Sequence, residues 1–89
     1  MEHVILELDG ITALDEFHNR TSAAFDFPSY YGRNKDAFWD CITEFVDPTS
    51  VSVQGVRSLS GELRKEVEAY IALLREYSQE CDSFKVDVA

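Results

Sequence analysis

The chain has few of the features that mark export, metal binding or membrane insertion. Near its start the longest apolar run is Val4-Ile5-Leu6. A signal-peptide core needs roughly 7–15 apolar residues and a membrane helix about 20. The expectation is a soluble protein made without export, in the cytoplasm. Cysteine is scarce too, with only Cys41 and Cys81, each beside an acid, Asp40 and Asp82. No second cysteine pair or histidine spacing suggests zinc. Reduced thiols suit a cytosolic chain, and a disulfide between the two stays open because it depends on geometry. Basic residues are the scarcest charge: 8 Lys+Arg against 17 Asp+Glu leave −9, which argues against nucleic acid and anionic membranes as partners. The excess either favours cationic partners or serves solubility. Neither H-E-x-x-H nor a phosphate-cradling glycine loop occurs, and no cofactor is implied. With no internal repeat or low-complexity segment, residues 1–89 read as one domain.

What remains is an ordinary globular composition, 45% hydrophobic and 28% charged, which is enough apolar content to build one small core. Residues 3–8 are a compact apolar strand ended by the turn Asp9-Gly10. Thr12 followed by Asp15 has N-cap spacing. Leu14, Phe17, Thr21 and Phe25 recur at helical intervals, predicting a helix over about 13–24. Pro28 opens a loop through Ser29-Tyr30-Tyr31-Gly32-Arg33. Asn34 caps a second helix, about 35–45, which Asp47-Pro48 breaks. Val51-Ser52-Val53 alternates as a short strand. Ser60 can cap a long helix over about 61–79, striped by Leu63, Val67, Tyr70, Ile71 and Leu74. Phe84, Val86 and Val88 form a last strand. The order β-α-α-β-α-β predicts a small two-layer α/β domain: a three-stranded parallel sheet with helices on one face, the other face partly uncovered.

The second helix carries the informative chemistry. At about 100° per residue, Ala37, Phe38, Cys41, Ile42 and Phe45 share one apolar arc. Asp36, Asp40 and Glu44 form a row of carboxylates at i, i+4, i+8 with no cation interleaved. Like-charge neighbours at this spacing cost about 0.2–0.5 kcal/mol per pair. Asp36 suits the positive end of the helix dipole, whereas Asp40 and Glu44 gain nothing there. A local rule broken without local gain points to a site. Trp39, the single tryptophan, falls about 120° off the apolar arc. Two readings stay open for it, an interface anchor or a cover for the core edge. Of the adjacent Tyr30 and Tyr31, one is expected to pack inward and the other outward. Gly32 is read as permitting a positive φ or a close backbone approach. Glu76 and Glu80 repeat the acidic i, i+4 pattern on the long helix. His18 reads as a packed histidine rather than a general base, because no nucleophile lies at a recognisable spacing.

The stretch Phe27-Pro28-Ser29-Tyr30-Tyr31-Gly32-Arg33-Asn34-Lys35-Asp36-Ala37-Phe38-Trp39-Asp40-Cys41 resembles the signature of the barstar family. That signature is a Pro, two Tyr, a Gly and then Asn-x-Asp-Ala-x-Trp-Asp-Cys. The likeness extends more weakly to Phe17-His18, Leu74-Arg75-Glu76 and Cys81-Asp82. It implies a barstar-like α/β domain and a cytosolic inhibitor, not an enzyme. The implied partner is a secreted, basic microbial ribonuclease, covered at its active site in a 1:1 complex. By this resemblance the carboxylate of Asp40 stands in for the scissile phosphate of RNA, and Tyr30 packs near the nuclease's catalytic histidine. Asp36 meets basic groups at the rim. Gly32, Asn34, Lys35, Trp39 and Thr43 belong to the contact surface or its support, and Glu76 and Glu80 to a secondary acidic contact. His18 and Tyr31 are structural. The chain departs from the familiar pattern at Arg33, Lys35 and Phe45. The two cations flank the acid row and imply a nuclease with an acidic group near its pocket rim. The competing reading is an interaction module that binds another basic protein without inhibiting it.

Overall fold

In the computed structural model, residues 3–46 and 49–89 are described. The expected helix break at Asp47-Pro48 lies outside the described residues. The elements run β1 (His3–Glu7), α1 (Leu14–Phe25), α2 (Lys35–Glu44), β2 (Ser50–Gln54), a 3-10 turn (Val56–Ser58), α3 (Gly61–Glu80) and β3 (Lys85–Val88). Apart from the 3-10 turn, this is the expected order. Phe84 lies just before its strand, buried rather than paired. The sheet is wholly parallel, in the order β1-β2-β3, with Val4 opposite Val51 and Val51 opposite Val86.

Strand alternation sorts the sheet into two faces. Leu6, Val51 and Val53 are buried on one face, while Ile5 on the other is 55% exposed. The row around Ile5 is polar: His3 and Glu7 on β1, Ser50, Ser52 and Gln54 on β2, Lys85 and Asp87 on β3. α1 packs against β1 and α3 against β3 on the buried face, α2 packs against α3, and the face around Ile5 is left exposed. At the sheet's end, Leu8 donates its N–H to the Gln54 carbonyl at 2.8 Å. Gly55 follows at φ 86°, where an added Cβ would sit 2.3 Å from the Asp9 nitrogen. Only glycine lets the two chain segments approach so closely.

The core is aromatic where the helices meet. Phe17 of α1, Phe38 of α2 and Tyr70 of α3 contact one another with ring centroids 5.0–6.2 Å apart. Each fully buried large side chain contributes about 1.5–3 kcal/mol. Phe27 joins the cluster from the loop, 6.2 Å from Phe38 and 4.9 Å from Tyr31.

Two helix starts differ from expectation. α1 has Ala13 at its N-cap and no side-chain cap. Thr12 instead donates its N–H and its hydroxyl to Glu16 Oε1, at 2.8 and 2.7 Å. These bonds, the backbone one first, hold the Glu16 carboxyl below its ordinary pKa. Ser60 stands at the N-cap of α3 but its side chain makes no capping bond.

His18 is buried, 2% exposed, on α1. Its Nδ1 shares a 2.9 Å hydrogen bond with Tyr31 Oη, and among the described residues its Nε2 has no partner. Burial, and then the Arg33 charge, push its pKa below the ordinary 6.5. The unfolded chain therefore takes up this proton at a higher pH than the folded chain. The stability His18 contributes is present above about 6.5 and is lost as the pH falls below that value. The urea midpoint is expected to drop on mild acidification, and less steeply in His18→Gln. Parallel slopes for the two proteins would refute this.

Candidate partner-binding site

The site begins with a loop pinned from both sides. Phe27 stacks on Phe25 at 5.6 Å and reaches Phe38. Tyr31 is buried, bonded to His18, and donates its N–H to the Pro28 carbonyl at 3.0 Å. Burial drives the Tyr31 hydroxyl pKa well above its ordinary value. Between these anchors Tyr30 points outward, 74% exposed. One tyrosine in and one out is the expected arrangement.

The loop enters α2 through Asn34, which accepts a hydrogen bond from the Ala37 N–H at 2.8 Å. Asn34 thus supports the surface as the helix cap. Asn34→Ala is expected to lower stability by about 1 kcal/mol in a urea titration. An unchanged midpoint would deny the cap that weight. Just before it, of the two roles open to Gly32, the structure shows the close approach and not the positive φ. Positive φ falls on Arg33, at 55°, and not on Gly32. What Gly32 supplies is space: a Cβ there would meet Ala37 Cβ at 3.2 Å.

α2 then presents Asp36, Asp40 and Glu44 to solvent. Among the described residues, no ion pair involves any of the three. The two cations expected to flank the row are turned elsewhere. Arg33 donates to Asn19 Oδ1 at 2.7 Å, and Lys35 lies 3.5 Å from Glu66 and 5.5 Å over the Tyr70 ring. Among the described residues the row is left without a paired cation. Phe45, placed on the core arc by helical periodicity, is instead 49% exposed and meets Tyr30 edge to face at 6.4 Å. It is the C-cap, where the helix stops.

Tyr30, Asp40, Glu44 and Phe45 line a shallow groove of about 210 Å³ floored by Tyr31 and Cys41. Gly32 and Ala37 complete its lining. Burial raises the Cys41 thiol pKa, and the charges of Asp40 and then Glu44 raise it further. Both carboxylates therefore act on the groove floor. The groove offers an apolar floor, two aromatic walls and two unneutralised carboxylates. That combination suits a cationic side chain from a partner.

A family model described as "Barstar (barnase inhibitor)" matches residues 1–89. The chain belongs to the barstar family. It is also 30% identical over 88 residues, 97% of each chain, to the Bacillus subtilis (strain 168) protein described as "Putative ribonuclease inhibitor YrdF".

The remaining candidate residues of this barstar-family chain lie outside the groove. Trp39 is half-buried and meets Tyr77 of α3 at 6.0 Å, which favours the reading as a cover for the core edge. Thr43 turns its hydroxyl back onto its own helix, donating to the Trp39 carbonyl at 2.8 Å. Glu76 and Glu80 are exposed on α3, on either side of Tyr77 in the chain. They do not line the groove. Glu44 and Phe45 do line it, although the resemblance carried no contact role onto either. The sequence signal for Glu44 was its place in the acid row.

Proposed function

We propose that this chain inhibits a secreted, basic microbial ribonuclease by covering its active site in a 1:1 complex. It acts in the cytoplasm and is not itself an enzyme. The observation that carries this reading is Asp40, exposed, without an ion pair among the described residues, and lining one groove with Tyr30 and Phe45 in a chain of the barstar family.

A ribonuclease holds the RNA phosphate with cationic side chains. A carboxylate fixed at the same place accepts the same charge-assisted hydrogen bonds. Asp40 supplies that carboxylate, and its backbone is held by a capped helix seated on the aromatic core. Tyr30 packs against the rim of the pocket, and Asp36 meets cations at its edge. The net charge of −9 draws a basic protein in from a distance and makes its arrival sensitive to salt. The same charge repels RNA and anionic membranes.

The test is an RNA-cleavage assay with a panel of basic microbial ribonucleases, barnase among them. An equimolar amount of this chain should abolish the activity of at least one. Full activity of every nuclease in the presence of excess chain overturns the proposal. A stable complex with an undiminished nuclease favours the non-inhibitory interaction module.

A further inference from the structure

The groove beside Asp40 holds a second carboxylate that phosphate mimicry alone does not require. Glu44 is the last residue of α2. There it faces the negative end of the helix dipole and lies one turn from Asp40, so it is unfavourable on both counts. Among the described residues no cation offsets it. Its neighbour Phe45 is half-exposed and rests against Tyr30, giving the groove an aromatic wall that the core does not use.

We propose that Glu44 and Phe45 form a specificity subsite that takes an arginine side chain of the ribonuclease, its guanidinium shared between Glu44 and Asp40. This rests on the inhibitor reading above and names what the groove selects. A guanidinium is planar, carries five N–H donors in a fixed fork and packs on aromatic rings. It can therefore satisfy two carboxylates and an aromatic wall together. A lysine ammonium is more strongly hydrated and has no flat face for the wall. A neutral side chain would bury both carboxylates without compensation. Arg33 and Lys35 do not fill the role from within in this structure, where they reach Asn19 and Glu66 instead.

The experiment uses the ribonuclease that the parent chain inhibits most tightly in the panel. Glu44→Gln should weaken inhibition about tenfold or more, the worth of a hydrogen bond to a charged group. It should also flatten the salt dependence of the association rate. Its urea midpoint should be unchanged or raised, since an acid leaves a helix C-terminus. Phe45→Ala should weaken inhibition as well. A double-mutant cycle of Glu44→Gln against each nuclease arginine should find one strongly non-additive pair. Lysine at that nuclease position should not restore the coupling. Normal inhibition by Glu44→Gln, alongside loss of inhibition in Asp40→Ala, overturns the subsite and leaves the inhibitor reading intact. No inhibition by the parent chain overturns both.

Discussion

Asp40→Ala is expected to weaken ribonuclease inhibition by about 3–5 kcal/mol, the cost of removing one partner of a buried ion pair. In affinity that is between two and four orders of magnitude. The size of the effect follows from the complex and not from the free protein. In the free chain Asp40 is exposed and has no ion-pair partner among the described residues, so its loss breaks nothing that holds the fold. The urea midpoint should stay level or rise slightly as one like-charge repulsion is relieved. Asp40→Asn keeps the size and removes the charge, and should behave nearly as badly. Inhibition constants measured at moderate salt are the deciding readout. Parent-like inhibition by Asp40→Ala would end the claim that this carboxylate occupies the phosphate pocket.

Phe38→Ala should act in the opposite way, by damaging the fold. Phe38 is fully buried and touches Phe17, Phe27 and Tyr70, so α1, α3 and the loop lose a shared partner. Truncating a core phenylalanine costs about 3–5 kcal/mol. At about 0.05–0.15 kcal/mol per residue, the stability expected of 89 residues is about 4–13 kcal/mol, so the loss is a large share of the whole. The urea midpoint should fall steeply. Phe38→Leu, which keeps most of the volume, should recover much of it. A midpoint within error of the parent in Phe38→Ala would show that the aromatic cluster does not carry the core.

Where the sequence was informative, the deciding physics was local. Asn34 was legible as a cap because its side chain reaches only three residues ahead. The apolar stripes of α1 and α3 were legible because helical periodicity alone sets which residues face the sheet. The acid row was legible for the same reason. The departures required knowledge of where a helix ends or what lies across from it. Phe45 fell on the core arc only if α2 continued, and it stops at Glu44. Lys35 looked like a neighbour of the acid row until α3 placed Glu66 beside it. That Gly32 serves close approach while Arg33 takes the positive φ depends on the path of the loop into α2. Spacing along the chain cannot reveal that path. Thr12 had the spacing of a cap, yet its bonds to Glu16 place it one residue ahead of the cap itself.

The double anchoring of the loop by Phe27 and Tyr31 also bears on recognition kinetics. A flexible binding loop must surrender its conformational entropy at the moment of contact, and part of the interaction energy is consumed in doing so. Here that loss is taken when the chain folds, because Tyr30 sits between two residues already sealed into the core. Docking can then proceed almost as a rigid-body event, with the encounter rate governed by charge and orientation. A variant that loosens Phe27 should therefore bind more weakly even though Phe27 does not line the groove.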